Sequence, residues 1–233
     1  MVPYVALVIV VVFIGLFIYA LVTGSKKQEE TRRNFFREFA EKRSMRFSET
    51  DSFNLKEKIH DLGAIGYARN EIKNIAFAKE GNDEVYLFDQ VKVTTTGGSR
   101  GGYFTVCLIV ARNSFGVECV LHEVEGKLAA RLSRSMGGAR SGMEAVELGD
   151  PEFDNRYVVF SNNAEAVRKP LGHSVRQHLL RHVKQLPMPL VIQIKDNRLA
   201  VHNSGQSPRT IGTFDQLQTL LDVAKGLKDM LKS

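Results

Sequence analysis

The chain has 233 residues, 43% of them hydrophobic and 25% charged, with 32 basic and 26 acidic side chains. These fractions are typical of a folded protein and exclude wholesale disorder, and the length fits one or two domains. Two cysteines are too few for a disulfide-built scaffold or a cysteine-rich zinc module.

The net charge of +6 is concentrated near the N-terminus. Residues 24–46 contain eight basic and four acidic side chains, so most of the excess positive charge lies in this short segment. A protein that binds nucleic acid usually carries a broad basic surface. The sequence therefore predicts no nucleic-acid partner.

The segment Tyr4–Val22 is a run of 19 residues without a charge. As a helix it would be about 28 Å long, close to the roughly 30 Å of a bilayer's hydrocarbon core. A cleaved signal peptide is the alternative, but no basic residue precedes the run and no A-x-A site follows it. The sequence predicts a transmembrane anchor over residues 1–23, with the lipid bilayer as a partner.

Four basic residues, Lys26, Lys27, Arg32 and Arg33, follow this predicted span closely. By the positive-inside rule they place the C-terminal domain in the cytoplasm of a single-pass membrane protein. We expect these four side chains to contact the membrane surface, with anionic lipid headgroups as their counter-charges.

Residues 24–47 are predicted to be a basic juxtamembrane linker and helix, and residues 48–233 an α+β domain. The helix, over Thr31–Phe47, has an apolar stripe that includes Phe35, Phe36 and Phe39. This stripe could lie on the membrane, but we favour packing against the domain, because an apolar stripe in a folded chain usually faces a core.

The first half of the domain contains strand patterns separated by turn residues. The patterns predict a short helix over Asn54–Leu62 and two hairpins, formed by Ile72–Lys79 with Glu84–Val93 and by Tyr103–Arg112 with Val117–Val124. Cys107 and Cys119 each lie next to valine in an apolar run, so both are expected to be buried thiols.

The second half adds helices to the strand patterns. It predicts a strand over Arg156–Phe160, a helix over Ala164–Val183 broken near Pro170, a hairpin of Leu190–Lys195 with Arg198–His202, and a final amphipathic helix behind Thr213. Strands in hairpins with helices outside them indicate an α+β fold with an antiparallel sheet and flanking helices.

Three stretches carry a resemblance to a known family: Asn70–Asp89, which ends in Leu-Phe-Asp; Tyr103–Val110; and Asp150–Val159, which reads DPEFDNRYVV. Together they resemble a bacterial family of membrane-anchored proteins of unknown function, over roughly residues 35–231. The resemblance implies the α+β fold and an anchor, and it brings no activity or site residues.

Two local patterns could carry chemistry. His178 and His182 stand at i, i+4, a spacing that can chelate a metal, but Leu179 replaces the glutamate that the zinc-protease motif requires. The Gly-, Ser- and Arg-rich stretches Thr94–Gly102 and Ser133–Gly142 could cradle an anion, yet they contain no phosphate-binding motif. We interpret these two stretches as loops, and we predict no catalytic, cofactor-binding or metal-ligating residues.

Two further basic stretches, residues 127–143 and 166–195, could dock on anionic lipid if they share a face. The leading hypothesis is a membrane-tethered interaction or scaffolding module with a membrane or cytosolic protein partner. The alternatives are an enzyme with an unrecognised site near Arg100 and Arg140, or a sensor of anionic membrane surface.

Overall fold

A computed structural model describes residues 26–66, 70–93, 100–182, 185–186, 188–203 and 211–232. The predicted span Tyr4–Val22 lies outside these residues. Within them, none of the helices has the length and hydropathy needed to cross a bilayer.

The described chain alternates strands and helices. Helix α1 covers residues 26–42. It is followed by β1 (Arg46–Thr50), α2 (Leu55–Ile59), a 3₁₀ turn (Gly63–Ile65), β2 (Glu71–Glu80), β3 (Asp83–Val93), β4 (Arg100–Val110), β5 (Cys119–Glu123), α3 (Lys127–Ser141), β6 (Glu144–Val146), α4 (Pro151–Asp154), β7 (Tyr157–Ser161), α5 (Ala164–Arg168), α6 (His173–His182), β8 (Leu190–Lys195), β9 (Arg198–Asn203) and α7 (Phe214–Leu231).

The nine strands form one sheet in the order β1-β2-β3-β4-β9-β8-β5-β7-β6. Every neighbouring pair is antiparallel. The predicted α+β class with an antiparallel sheet and flanking helices is therefore confirmed. The hairpins β2–β3 and β8–β9 are also confirmed, and so are the helix break before α6 and the capping box of α7, where Thr213 and Gln216 bond each other's backbone.

The predicted hairpin between β4 and β5 is wrong. The β8–β9 hairpin lies between these strands, so β4 pairs with β9 and β5 pairs with β8. The loop after β4 bonds to the turn of this hairpin, because Ala111 N donates to Asn197 O and Phe115 N to Asp196 O, both over 2.8 Å. The turn residues after β4 therefore lead to another part of the sheet and do not close a hairpin.

Four further elements were not expected from the sequence. The strands β1 and β6 and the short helix α4 went unpredicted, and Ser133–Gly142, interpreted as a loop, is helical up to Ser141 as part of α3. Helix α3 forms because its first turns can bury Ala130 against Val158 and Phe160. Tertiary packing outweighs the glycines later in the helix.

Strand alternation divides the core between the two faces of the sheet. Val85 and Leu87 face the larger core, which is covered by α1, α4, α5, α6 and α7. We call this side of the sheet the helical face. Tyr86 and Phe88 face the opposite side, which α2 and the 3₁₀ turn cover at one edge and α3 at the other.

The strands also define two ends of the sheet. We call the end at which β2 and β4 begin and β3 and β9 end the near end, and the opposite end the far end. The first turns of α1 lie at the near end, where Glu29 pairs with Lys73 over 2.6 Å. At the far end lie the β2–β3 and β8–β9 turns.

Candidate functional site

Helix α1 is part of the domain. Phe36, Phe39 and Ala40 are buried in the core of the helical face, with at most 2% of each residue exposed. The predicted packing of this apolar stripe against the domain is confirmed. The described part of residues 24–47, interpreted from the sequence as a juxtamembrane segment, thus includes a helix and the start of β1 that belong to the same folded unit as the rest of the domain.

An ion pair fixes α1 to the near end of the sheet. The Arg32 guanidinium donates from Nε to Asp89 Oδ2 over 2.7 Å and from Nη2 to Asp89 Oδ1 over 2.9 Å. The Asp89 side chain is completely buried and that of Arg32 is 11% exposed. A bidentate arginine–carboxylate pair of this kind fixes both distance and direction.

Neutral polar groups satisfy the rest of this pair. Thr105 Oγ1 donates to Asp89 Oδ1 over 3.0 Å and Asn74 Nδ2 donates to Asp89 Oδ2 over 3.2 Å. Asn74 reaches the carboxylate because β2 has an irregular register between Lys73 and Ala76, and Asn74 itself has φ = 53°. Arg32 also donates to the carbonyl of Ile211, so the pair connects α1, the sheet and the segment before α7.

A cleft opens beside this ion pair, between the first turns of α1 and the segment that leads into α7. It has a volume of about 460 Å³ and is lined by Lys27, Gln28, Thr31, Arg32, Phe35 and Gly212. A second cavity of about 440 Å³ shares Phe35 and Gly212 and continues along Thr213, Phe214 and Asp215. We call the two together the α1 cleft.

Aromatic rings form the apolar wall of the α1 cleft. The rings of Phe35 and Phe214 stack with centroids 5.1 Å apart and planes inclined by 26°. Lys42 Nζ lies 4.2 Å from the centroid of the Phe214 ring. An apolar wall with polar groups at its rim is typical of binding clefts.

The four residues predicted to contact the membrane surface have different environments. Lys26 and Lys27 are exposed, whereas Arg32 is engaged with Asp89. Arg33 pairs with Glu49 over 3.3 Å. Membrane contact by these residues stays a prediction, with Lys26 and Lys27 as the two most accessible members.

The two histidines at chelating spacing both contact protein atoms. His178 Nε2 lies 3.2 Å from Val223 O, and its ring occupies the space that any side chain at Gly226 would need. His182 Nδ1 lies 3.0 Å from the side-chain oxygen of Gln185. No group of three or more potential ligands that could hold a metal occurs among the described residues.

Both thiols are buried and free, as expected. Burial raises the pKa of Cys107, and it raises the pKa of Cys119 to about 12. A thiol with a raised pKa is a poor nucleophile at neutral pH because the thiolate is the reactive form.

The two basic stretches do not share a face. Helix α3 packs on the opposite face, whereas α5 and α6 bury Val167, Val175 and Leu179 in the core of the helical face. The side chains of Arg100 and Arg140 lie outside the described part of the chain, as does most of Thr94–Gly102.

Sequence reasoning missed Asp89, although a signal for it was present. In β3, Asp89 has the same parity as Val85 and Leu87, so alternation places its carboxylate on the buried face. A buried carboxylate requires a cationic or hydrogen-bonding partner. That partner, Arg32, is 57 residues away in sequence and could not be identified from spacing.

The comparisons with known proteins agree with this architecture. The sequence profile of the family described as "protein of unknown function (DUF3137)" matches residues 101–230, which is more than half of the chain. The chain therefore belongs to this family. The expected membership of a family of unknown function is confirmed in that form, whereas the anchor that the resemblance implied stays a prediction.

A solved structure shows the same fold. The chain is similar to the crystal structure of the mycobacterial trehalose monomycolate transport factor A, TtfA, with a TM-score of 0.58, 13% sequence identity, and coverage of 86% of this chain and 94% of that chain. At this identity the similarity concerns the fold alone. No curated protein matches the chain in sequence.

Proposed function

We propose that the protein is a membrane-tethered interaction module. In this proposal the predicted span Tyr4–Val22 holds the α+β domain at the bilayer, and the α1 cleft binds a partner protein close to the membrane. The observation that carries the proposal is the position of the cleft, which is lined by Lys27, five residues after the end of the predicted span. Five residues extend over at most about 18 Å, so the partner would be bound near the headgroups.

The attachment of α1 supports this arrangement. The Arg32–Asp89 pair and the buried face of α1 fix the helix to the sheet. The cleft therefore has a defined orientation relative to the chain that enters α1. A partner in the cleft would be held in one geometry with respect to the domain.

The use of the chemically versatile side chains favours binding over catalysis. Cys107 and Cys119 are buried with raised pKa values, and His202 is buried with its pKa lowered to about 4 by desolvation. His178 packs against the backbone of α7. Each of these groups serves packing at its present position.

The similar fold of the mycobacterial transport factor is compatible with this role. That protein is described as a factor in the transport of trehalose monomycolate. A protein that assists a membrane process through a bound partner fits the arrangement proposed for this chain, and the proposal takes no substrate from the mycobacterial protein.

The orientation is proposed from the basic flank of the predicted span, with the domain in the cytoplasm. A compartment-sensitive reporter fused after Ser233 of the intact chain should report the cytoplasmic side. A signal from the exported side would contradict this orientation.

The binding role is tested by site-specific photocrosslinking in the full-length chain in native membranes. A photoreactive residue at Gln28, which is exposed at the rim of the α1 cleft, should give a discrete protein adduct. The matched control is Asn82, exposed in the β2–β3 turn at the far end. Thr31→Trp should reduce the Gln28 adduct by filling the cleft, and equal crosslinking at the two positions would contradict the proposal.

A further inference from the structure

Helix α3 presents two leucines to solvent. Among the residues whose side chains are described, Leu128 at 73% and Leu132 at 54% are the large hydrophobic residues with exposed surfaces. They stand at i, i+4, so they lie one above the other on the same side of the helix. Such a pair forms a small apolar stripe.

The other residues of these two turns form a buried side and a basic edge beside the leucines. Ala130 is completely buried against Val158 and Phe160, whereas Lys127 and Arg131 are exposed next to the leucines. The neighbouring acid Glu125 precedes the helix. The exposed part of the first two turns is therefore apolar with positive charge beside it.

The next basic residue marks where this surface ends. Arg134 Nη1 lies 3.2 Å from Glu147 Oε1, and its Nη2 donates to the carbonyl of Asp154. This guanidinium is directed towards the body of the domain, so Lys127 and Arg131 are the cations that accompany the leucines.

The strand order places this surface at the near end of the sheet. Strand β5 ends at Glu123 opposite Tyr157, the first residue of β7, and α3 begins four residues later. Strand β6, which follows α3, begins at Glu144 opposite Ser161, the last residue of β7. Helix α3 thus runs from the near end towards the far end, with Leu128 and Leu132 in its first two turns.

The described chain also begins at the near end. Residue 26 is four residues after the end of the predicted span, and the first turns of α1 contact the near end through Glu29 and Arg32. A bilayer that holds the span would therefore face the near end. This position and the positive charge favour a membrane surface over a protein as the occupant of the stripe.

We propose that the first two turns of α3 form a second membrane contact, in which Leu128 and Leu132 insert at the boundary between headgroups and acyl chains and Lys127 and Arg131 contact anionic headgroups. This inference rests on the proposed membrane tether. Apolar side chains beside basic ones are the composition that binds a membrane interface, where apolar groups reach about 5–10 Å into the boundary between headgroups and acyl chains. Two contacts, at α1 and at α3, fix the orientation of the domain, whereas a single span would allow it to rotate.

The absence of tryptophan from the sequence provides a sensitive test. The variant Leu128→Trp carries the one indole of the full-length chain, which is reconstituted in vesicles that contain phosphatidylglycerol and lipids with brominated acyl chains. The emission of this indole should shift to the blue and be strongly quenched. Asn82→Trp, at the far end, is the matched control and should keep the emission of a solvent-exposed indole.

Four further measurements make the test decisive. Lys127→Glu together with Arg131→Glu, in the Leu128→Trp chain, should reduce the quenching, as should replacement of phosphatidylglycerol by a neutral lipid. Leu132→Trp is the second reporter if Leu128→Trp unfolds. Flotation of the chain with the vesicles reports the tether separately.

The outcomes separate the inference from the proposed function. A chain that floats with the vesicles while its Leu128→Trp and Leu132→Trp indoles behave like Asn82→Trp overturns the contact and leaves the tether in place. Quenching that does not depend on lipid charge overturns the role of the two cations. A chain that does not float removes both the tether and the inference.

Discussion

Two buried aspartates, one at each end of the sheet, are held in different ways. At the near end, Asp89 is completely buried and pairs with one cation, Arg32. At the far end, Asp83 accepts from Lys232 Nζ over 2.8 Å, lies 3.3 Å from Lys228 Nζ and accepts from Arg112 N over 3.0 Å. Asp89 has a single cationic partner among the described residues, whereas Asp83 has two.

This difference indicates which end of the sheet is more sensitive to the loss of one charged side chain. Burial alone would raise the pKa of Asp83, but Lys232, the Arg112 N–H and Lys228 outweigh it and lower the pKa to about 2. Because two lysines contribute, either can be lost while the other remains. No such redundancy exists among the described contacts of Asp89, whose only ion pair is with Arg32.

The largest effect should follow from breaking the near-end pair. We expect Asp89→Ala to lower the free energy of unfolding of the full-length chain in detergent by about 3–5 kcal/mol, because it leaves a buried guanidinium without its counter-charge. Urea titration followed by circular dichroism measures this loss.

A double variant provides the control for that prediction. Arg32→Met with Asp89→Leu removes both charges, and it should recover much of the lost stability because a hydrophobic pair leaves no unpaired ion. A loss below about 1 kcal/mol for Asp89→Ala would contradict the description of this pair as buried and without a second cation for Asp89.

The pH dependence should differ between the two ends. His202 lies on the opposite face of the sheet, close to its near end. Burial lowers the pKa of this histidine from 6.5 to about 4, so the unfolded chain binds the proton more tightly than the folded chain does. Stability from this neutral histidine is fully present above pH 6.5 and is lost as the pH falls from 6.5 to 4, by an amount on the order of 3 kcal/mol.

The far end should respond at lower pH. The contribution of Asp83 is fully present above its ordinary pKa of 3.8 and is lost as the pH falls towards about 2. Unfolding free energies measured from pH 2 to 8 should therefore lose part of their slope between pH 4 and 6.5 in His202→Gln and keep their slope below pH 4. Some slope should remain in the upper range because burial also lowers the pKa values of His122 and His178 from 6.5. If the profile of His202→Gln were unchanged, another group would account for the loss of stability between pH 6.5 and 4.

The smallest effect should come from single changes at the far end. Lys228→Ala and Lys232→Ala should each cost less than about 1 kcal/mol, because the other lysine still pairs with Asp83 and partial exposure screens the charges. The double variant should cost more than the sum of the two. If either single change were as damaging as Asp89→Ala, the far end would not be redundant.

Local signals predicted the elements that depend on local chemistry. The turn residues between β2 and β3 and between β8 and β9 identified both hairpins, and Thr213 with Gln216 identified the start of α7. The pairing of β4 with β9 was not predictable in the same way, because it joins segments about 90 residues apart in sequence.

The candidate site was predicted less well than the fold. Alternation along β3 contained the position of Asp89, but Arg32 was interpreted as a membrane contact because its sequence neighbours are basic and follow the predicted span. A position beside a basic cluster does not distinguish a solvated arginine from one that pairs with a carboxylate 57 residues away in sequence. The exposure of Leu128 was also not predictable, because the orientation of α3 depends on the packing of Ala130 against Val158 and Phe160, which lie later in the sequence in β7.

The insertion of the β8–β9 hairpin between β4 and β5 has a consequence for synthesis. Strand β4 is complete at Val110, but its neighbour β9 begins at Arg198. At roughly 5 to 20 residues per second, the ribosome needs about 4 to 18 seconds to supply the missing strand. During that interval the nascent chain presents the unpaired edge of β4, so chaperones would protect this edge until translation reaches the last sixth of the chain.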